Sequence, residues 1–230
     1  MTLEKVQTSV SLKKQAYESI KNAIIHQTFA QGEALNEREL SERLGISRTP
    51  IRESIPLLEL NGWVESIPRK GTFVCRITKQ DVEDVIQLRR ALEVLAIELA
   101  IPILTDQDIE KIEQIYRKQL AEKDHSKFIT SDRQFHIYLA KLSGNRQLVK
   151  LLKAINDKIR WFGMSALNRP NRKDQALQEH GLIIEALKAR DIEKTKKAVL
   201  NHIDNNRFAV LSSVESDVKG GDTGNEQGLS

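Results

Sequence analysis

The sequence predicts a mainly α-helical protein in two parts, a small domain of helices closed by a hairpin and then an antiparallel bundle of about six helices. Three observations carry this expectation. Aromatic residues make up only 5% of the chain, and Leu, Ile, Glu, Lys and Ala are abundant, a balance that favours helix over sheet. Apolar residues recur at three- and four-residue steps along most of the chain, the period of a helix with one buried face. The exception lies between Trp63 and Val74, where apolar and polar residues alternate as in strands. With 230 residues, 40% of them apolar, the chain can bury a real core in one or two domains.

Residues 1–11 carry no clear period and read as a flexible arm. From Leu12, the spacing of Ala16, Ile20, Ala23 and Ile24 predicts a helix ending near His26. After the connector Thr28 to Gly32, Asn36 can cap a short helix that turns Leu40 and Leu44 inward and stops at Gly45. One residue later Ser47 is a good N-cap for a helix through Ile51, Ile55 and Leu58 to the Asn61-Gly62 stop. Two helices joined this tightly form a helix-turn-helix. Pro50 suits a first turn, whose N–H groups have no intrahelical acceptor. Pro56, in mid-helix, predicts a kink or an early end. Trp63 to Ile67 and Gly71 to Val74 then pair around Pro68-Arg69-Lys70, a wing with two positive charges at its tip. Residues 12–77 therefore read as a winged helix-turn-helix domain.

The chain is helical from there on. Thr78 and Asp81 form a capping-box pattern before Val85, Leu88, Leu92, Leu95 and Leu99, and Thr105 caps a helix with Ile109, Ile112 and Tyr116. Phe128, Phe135, Leu139 and Leu142 mark the next helix, and Leu148, Leu152, Ile155, Ile159 and Phe162 another. Leu177, Ile184 and Leu187 follow, and Asp191 caps a last helix with Ile192, Val199 and Ile203. Residues 78–211 are thus a helical domain, and the polar, glycine-containing tail 212–230 reads as disordered.

Charge and cysteine content narrow the function. Thirty-six basic residues against 32 acidic ones, a net charge of +4, permit a nucleic-acid partner without demanding one. The single Cys75 cannot form an internal disulfide or a Cys-rich zinc site. No apolar run approaches the roughly 20 residues that cross a bilayer, and Met-Thr-Leu-Glu-Lys does not read as a signal peptide. The expectation is a cytoplasmic protein with no membrane partner.

Arg48, Thr49 and Arg52 occupy the first turn and a half of the second helix of the helix-turn-helix, the end that enters the major groove of DNA. An arginine fork there can bind a guanine edge bidentately. Arg38 on the preceding helix, with Arg69 and Lys70 on the wing, could converge on the same double-stranded DNA. In the helical domain, Asp132 and His136 are four residues apart and share an inward face. His180 and His202 lie on the apolar stripes of two other helices. Inward charges and imidazoles are costly without partners. One Asp and three His from three helices would suit a divalent metal with open positions, zinc or else nickel, manganese or iron. Taken singly, each histidine could instead be satisfied by a backbone carbonyl.

The stretch Gly32 to Val74, with Asn36-Glu37-Arg38-Glu39-Leu40, Leu44 to Glu53 and Leu58-Glu59-Leu60-Asn61-Gly62-Trp63, resembles the winged helix of the GntR family of bacterial transcription regulators. The resemblance implies that Arg38, Arg48 and Arg52 contact an operator, that Ser47 and Thr49 touch phosphate or base, and that Gly71 of the wing approaches the minor groove. Pro56 departs from the pattern. From about Gln80 to Val210 the chain is similar to the FCD ligand-binding domain of the FadR-like subfamily, through Leu88 to Glu93, Asp132 to His136, Ser143-Gly144-Asn145, His180 and His202. The likeness implies that Asp132, His136, His180 and His202 hold the metal, that small organic acids reach its open sites, and that Arg89 lines the cavity. The reading is a homodimeric repressor on a pseudo-palindromic operator, the effector changing the spacing of its two reading heads. Two readings stand beside it: a metal-dependent hydrolase fused to a DNA anchor, and a DNA-binding regulator whose metal is purely structural.

Overall fold

The structure, a computed structural model, describes residues 11–167 and 169–221. The chain divides into two compact units, Met1–Arg76 and Ile77–Ser230.

In the first unit the Ser11 hydroxyl accepts a hydrogen bond from the Lys14 backbone N–H and so opens α1 (Leu12–Ile25), which buries Ala16, Ile20 and Ile24. The rest of the predicted arm, residues 1–10, lies outside the described residues. A two-residue strand, β1 (Ala34–Leu35), precedes α2 (Glu37–Leu44). Asn36 starts α2 by accepting from the backbone N–H of Arg38 and Glu39. Gly45 ends it in the left-handed region at φ +65°, where a residue with a Cβ loses about 1–2 kcal/mol. The Ser41 hydroxyl donates to the Ile46 carbonyl at 2.6 Å and pins the turn into α3 (Arg48–Leu60). Ser47 occupies the N-cap position, but its side chain makes no capping bond.

The helix does not end early at Pro56. α3 continues to Leu60, with the Pro56 ring exposed and Ile51, Ser54, Ile55 and Leu58 buried. Proline costs about 3 kcal/mol in a helix interior, and burying three large aliphatic side chains at roughly 1.5–3 kcal/mol each outweighs that.

The wing is β2 (Val64–Ile67) against β3 (Gly71–Val74), antiparallel, in register from Val64 opposite Val74 to Ile67 opposite Gly71. β1 adds to the other edge of β3, giving the order β1-β3-β2. The Ser66 backbone N–H donates to Glu59 Oε1 at 2.9 Å, tying the wing to the far half of α3.

The second unit holds α4 (Lys79–Ala100), a 3-10 turn at Ile101–Ile103, α5 (Asp106–Ala121), α6 (His125–Leu142), α7 (Arg146–Ala166), α8 (Arg172–Lys188) and α9 (Ile192–Gly221). Capping boxes at Thr78/Asp81 and Thr105/Asp108 start α4 and α5. α4 packs against α6, α7 and α9, while α5 lies on α6 and α8, and α8 on α9.

Two expectations are corrected here. The tail does not leave the helix at Ser212: α9 runs on to Gly221. No glycine or proline interrupts residues 192–219, and the Ser213 hydroxyl reaches Ser165 O and Ala209 O, both at 3.1 Å. Residues 222–230 lie outside the described residues. The apolar stripe of α4 also faces the other way. Leu88, Leu95 and Leu99 are exposed, and the buried face carries Val82, Ile86, Arg89, Glu93, Ala96 and Ile97. A helix turns a charged pair inward against its own amphipathic preference only when the interior offers partners.

Candidate functional site

Asp132, His136, His180 and His202 come together at the centre of the helical unit. One ligand atom from each lies within 4.8 Å of every other. All three histidines are buried and Asp132 is half-buried. α6 supplies Asp132 and His136 one turn apart, α8 supplies His180 and α9 supplies His202. The Phe135 ring stacks on His180 at 4.2 Å between centroids and fixes its plane.

Each imidazole is oriented through Nδ1. His136 Nδ1 meets Glu93 Oε2 at 2.8 Å, His202 Nδ1 meets Glu179 Oε2 at 2.7 Å, and His180 Nδ1 meets Gln119 Oε1 at 2.8 Å. Because the partner atom is an acceptor in every case, the proton sits on Nδ1 and the Nε2 lone pairs point inward. His136 Nε2 and His202 Nε2 are 3.2 Å apart. His180 Nε2 stands 3.5 Å from Asp132 Oδ1 and, although buried, has no hydrogen-bond partner among the described residues. Two lone pairs at that distance repel unless a cation or proton donor lies between them.

Arg89 supplies the charge in this structure. Its guanidinium is fully buried, donates through Nε to Glu93 Oε1 at 2.7 Å, and approaches His136 Nε2 at 2.8 Å and His202 Nε2 at 3.5 Å. Its Nη1 has no hydrogen-bond partner among the described residues. A tetrahedral ion with bonds of about 2.0–2.2 Å holds its ligand atoms roughly 3.3–3.6 Å apart. The Nε2 and Oδ1 separations of 3.2, 3.5 and 4.0 Å bracket that spacing. Three imidazoles and a carboxylate, with their outer partners in place, therefore fit a divalent metal.

Electrostatics agree with neutral imidazoles at His180 and His202. Burial, reinforced by the other histidines and the Arg89 and Arg172 guanidinium groups, pushes His180 and His202 well below the ordinary imidazole value. Burial alone would raise the Glu93 carboxyl, but Arg89 and His136 outweigh it and hold the group far below the usual carboxylate range. In the unfolded chain the two histidines take up protons near pH 6.5, whereas in the fold they stay neutral to lower pH. Unfolding therefore binds protons below about 6.5, so stability is complete above that value and falls as pH drops through it. The denaturation midpoint of metal-free protein should hold level from pH 8 to about 7 and fall from there to pH 5.5, and a profile flat throughout would refute the buried neutral pair.

Sequence patterning does not single out Glu93, Glu179 and Gln119. Glu179 is held in turn by Arg172, whose two Nη atoms reach its two oxygens at 3.0 Å, and by Asn205 Nδ2 at 2.8 Å. A signal was present in two cases, since Glu93 follows Arg89 by one helical turn and Glu179 adjoins His180. Gln119 has none, because only the packing of α5 on α8 brings it to His180.

The winged helix presents its predicted residues on its surface. Ser47, Arg48, Thr49 and Arg52 are exposed at the start of α3, as are Arg69, Lys70 and Gly71 on the wing. Arg69, with φ +65°, and Gly71, with φ +121°, form the wing tip. Glu37, a residue the sequence pattern gives no role, joins the cluster: its Oε2 accepts from Arg48 Nη2 at 3.1 Å and Arg52 Nε at 2.7 Å. Arg38 pairs instead with Glu42 on its own helix.

A winged helix with an exposed arginine-bearing helix, in one chain with a helical domain carrying a buried His3Asp cluster, defines the class of DNA-binding transcription regulators. Residues 12–74 match the description "Bacterial regulatory proteins, gntR family" and residues 84–205 the FCD domain. The chain belongs to the gntR family and carries an FCD domain. It is 33% identical over 198 residues to the uncharacterized HTH-type transcriptional regulator YdhC of Bacillus subtilis, covering 83% of this chain and 87% of that one. The HTH-type transcriptional repressor RspR of Escherichia coli is 27% identical over 210 residues, covering 88% and 91%. Among solved structures, E. coli McbR/YncC matches with a TM-score of 0.72 at 22% identity, over 91% of this chain and 100% of that one. A putative GntR regulator from Rhodococcus sp. RHA1 matches with 0.74 at 21%, over 87% and 97%. At such identities these two likenesses speak for the fold alone.

Proposed function

We propose that this regulator is a cytoplasmic homodimer that represses transcription from a pseudo-palindromic operator, and that a small organic acid reaching a divalent metal in its helical domain modulates DNA binding. Zinc is the first choice of metal, with nickel, manganese or iron compatible with the same nitrogen and oxygen donors. The observation that carries the effector reading is the pair of inward Nε2 lone pairs 3.2 Å apart beside the unpartnered His180 Nε2. Asp132, His136, His180 and His202 would hold the ion, which would take up a carboxylate by expanding beyond four ligands. Arg89 cannot donate to the His136 lone pair while that lone pair is engaged elsewhere, so its fork, with Nη1 already unpartnered, becomes available to an acid. On the DNA side, Arg48, Thr49 and Arg52 would read base edges, and Arg38, Ser47, Arg69, Lys70 and Gly71 would set the pose on the backbone and minor groove.

A small acid alters operator affinity only as far as it binds the two states of the protein differently. The test is a mobility-shift titration on operator DNA with zinc-loaded and chelated protein. Release by a carboxylate with zinc only is the expected result. Release that ignores metal would overturn the reading, and loss of folding on chelation would favour a structural metal. A hydrolytic role is not favoured, because Glu93 and Glu179, the carboxylates that contact the histidines, are already committed to His136, Arg89, His202 and Arg172.

The outward leucines of α4 support the homodimer. Leu88, Leu95 and Leu99 follow one another at seven and four residues, one face of a helix able to pack on another, while Leu92 packs on the interior of its own unit. Leu88, Leu95 and Leu99 are exposed in the single chain. Leu95→Lys should convert the dimer to monomer in sedimentation experiments and remove high-affinity operator binding, since a lone head forfeits half the site.

A further inference from the structure

Arg89 enters the histidine cluster from α4 with its side chain wholly buried. A guanidinium only donates hydrogen bonds and stays charged in proteins, so each of its contacts fixes the role of the partner atom. Nε donates to Glu93 Oε1 at 2.7 Å. Nη2 stands 2.8 Å from His136 Nε2, which must therefore accept. Glu93 Oε2 meets His136 Nδ1 at 2.8 Å. One carboxylate thus holds a guanidinium on one oxygen and an imidazole on the other, and the two groups it holds are bonded to each other. The same Nη2 is 3.5 Å from His202 Nε2, so a single amino group lies against two of the three inward lone pairs.

An accepting imidazole nitrogen has one lone pair, which cannot serve an N–H group and a metal ion together. His136 Nε2 is an atom that the cluster offers to a divalent ion, and Arg89 is already on it. Charge adds to the conflict. The carboxylates of Asp132, Glu93 and Glu179 face the guanidinium groups of Arg89 and Arg172, which leaves one negative charge in excess. Without Arg89 the excess would be two, the charge that a divalent cation cancels in a buried site.

We propose that Arg89 is a built-in competitor of the metal: its guanidinium takes the ion's place at His136 Nε2, supports the fold of the helical unit without the ion, and lowers the affinity with which the ion binds. The inference rests on the metal reading above and deepens it, by naming the residue that sets how tightly the cluster holds its metal. Glu93 keeps His136 aimed in either case, because the oxygen that meets Nδ1 is not the one that meets Arg89.

The experiment is calorimetric titration of the full-length protein with zinc, joined to melts of the metal-free protein. Arg89→Met, of similar length but with neither charge nor donor, should bind zinc at least about tenfold tighter than wild type, since no charge-assisted hydrogen bond has to be broken first. Its metal-free melting temperature should fall, because Glu93 loses a cation and the His136 and His202 Nε2 atoms, 3.2 Å apart, lose the N–H group beside them. A residue that merely supports the site would give weaker zinc binding along with the lower melt. Arg89→Lys keeps a charge for Glu93 and lacks the second arm that reaches His136. It should melt closer to wild type and still bind zinc more tightly, which decides the question if the methionine variant does not fold. Another readout needs no variant: in 15N spectra of the wild-type protein, the Arg89 Nη and His136 Nε2 resonances should shift together as zinc is added. Zinc binding no tighter than wild type in the folded variants, or Arg89 resonances indifferent to zinc, overturns the competition and leaves the metal site standing. Absence of zinc binding in wild type and variants alike overturns both.

Discussion

Replacing His180 by alanine is expected to abolish metal binding in the helical domain. Loss of an outer partner alone typically costs 10–100-fold in metal affinity, so loss of a ligand should exceed about 100-fold. The site lends itself to this test because His180 Nε2 is buried and makes no hydrogen bond among the described residues. Its removal takes away a ligand without stripping a partner from Asp132, His136 or His202. At a zinc concentration 100 times the dissociation constant, the wild-type protein should gain about 2.7 kcal/mol of stability from the ion. The variant should gain none, which a melting comparison with and without zinc reads directly. Its metal-free melt should fall only modestly, because Gln119 Oε1 loses one hydrogen bond and Phe135 one stacked ring. His125→Ala, at an exposed helix start, controls for surface histidine and should bind zinc like wild type. Undiminished zinc affinity in the His180 variant would remove these four residues as a metal site.

How far this centre was legible in the sequence follows from the range of its interactions. Asp132 and His136 share a face because they are one turn apart, and His180 and His202 stand out as imidazoles on apolar stripes. Local periodicity exposes such residues whatever their partners turn out to be. Their acceptors Glu93, Glu179 and Gln119 are charged or polar residues of ordinary type, and their roles exist only through the packing of α4, α5 and α8 around the cluster. The α4 stripe misled for the same reason. Periodicity says that Leu88, Leu95 and Leu99 lie on one side, but not whether that side meets the interior of the same chain or a second copy. In the winged helix the capping residues and turn glycine were readable because they act over three or four residues. The two residues of β1 are too few to show a period, and their pairing with β3 is set by residues almost forty positions away. At Ser212 composition misled, because serines that read as tail residues bond back onto the helix itself.

Arg52→Ala is expected to have the largest effect on DNA binding. Arg48 and Arg52 are held side by side by Glu37 Oε2, and their side chains remain 55% and 62% exposed. An anion bridging two arginines limits their rotamers in the free protein, so less side-chain entropy remains to be lost when DNA takes over as partner. A bidentate arginine contact to a base is worth about 1–3 kcal/mol. In a dimer on a pseudo-palindrome the loss occurs twice, which predicts weakening by about 2–6 kcal/mol, or roughly 30-fold to 10⁴-fold. The salt dependence of the residual binding identifies the kind of contact. If Arg52 reads a base, the variant keeps the wild-type slope of affinity against salt and loses discrimination at one base pair in each half-site. If it binds phosphate, affinity falls alike for every sequence, and the slope drops by about one for each half-site. Glu37→Gln separates the orienting role from the contact itself. It removes a negative charge from the DNA-facing cluster while leaving both arginines, so non-specific binding should strengthen at low salt. Specific binding should gain less, because Arg48 and Arg52 then lose more ordering entropy on contact. A Glu37 variant that strengthened specific and non-specific binding equally would leave Glu37 as a simple repulsive charge, with no part in aiming the two arginines.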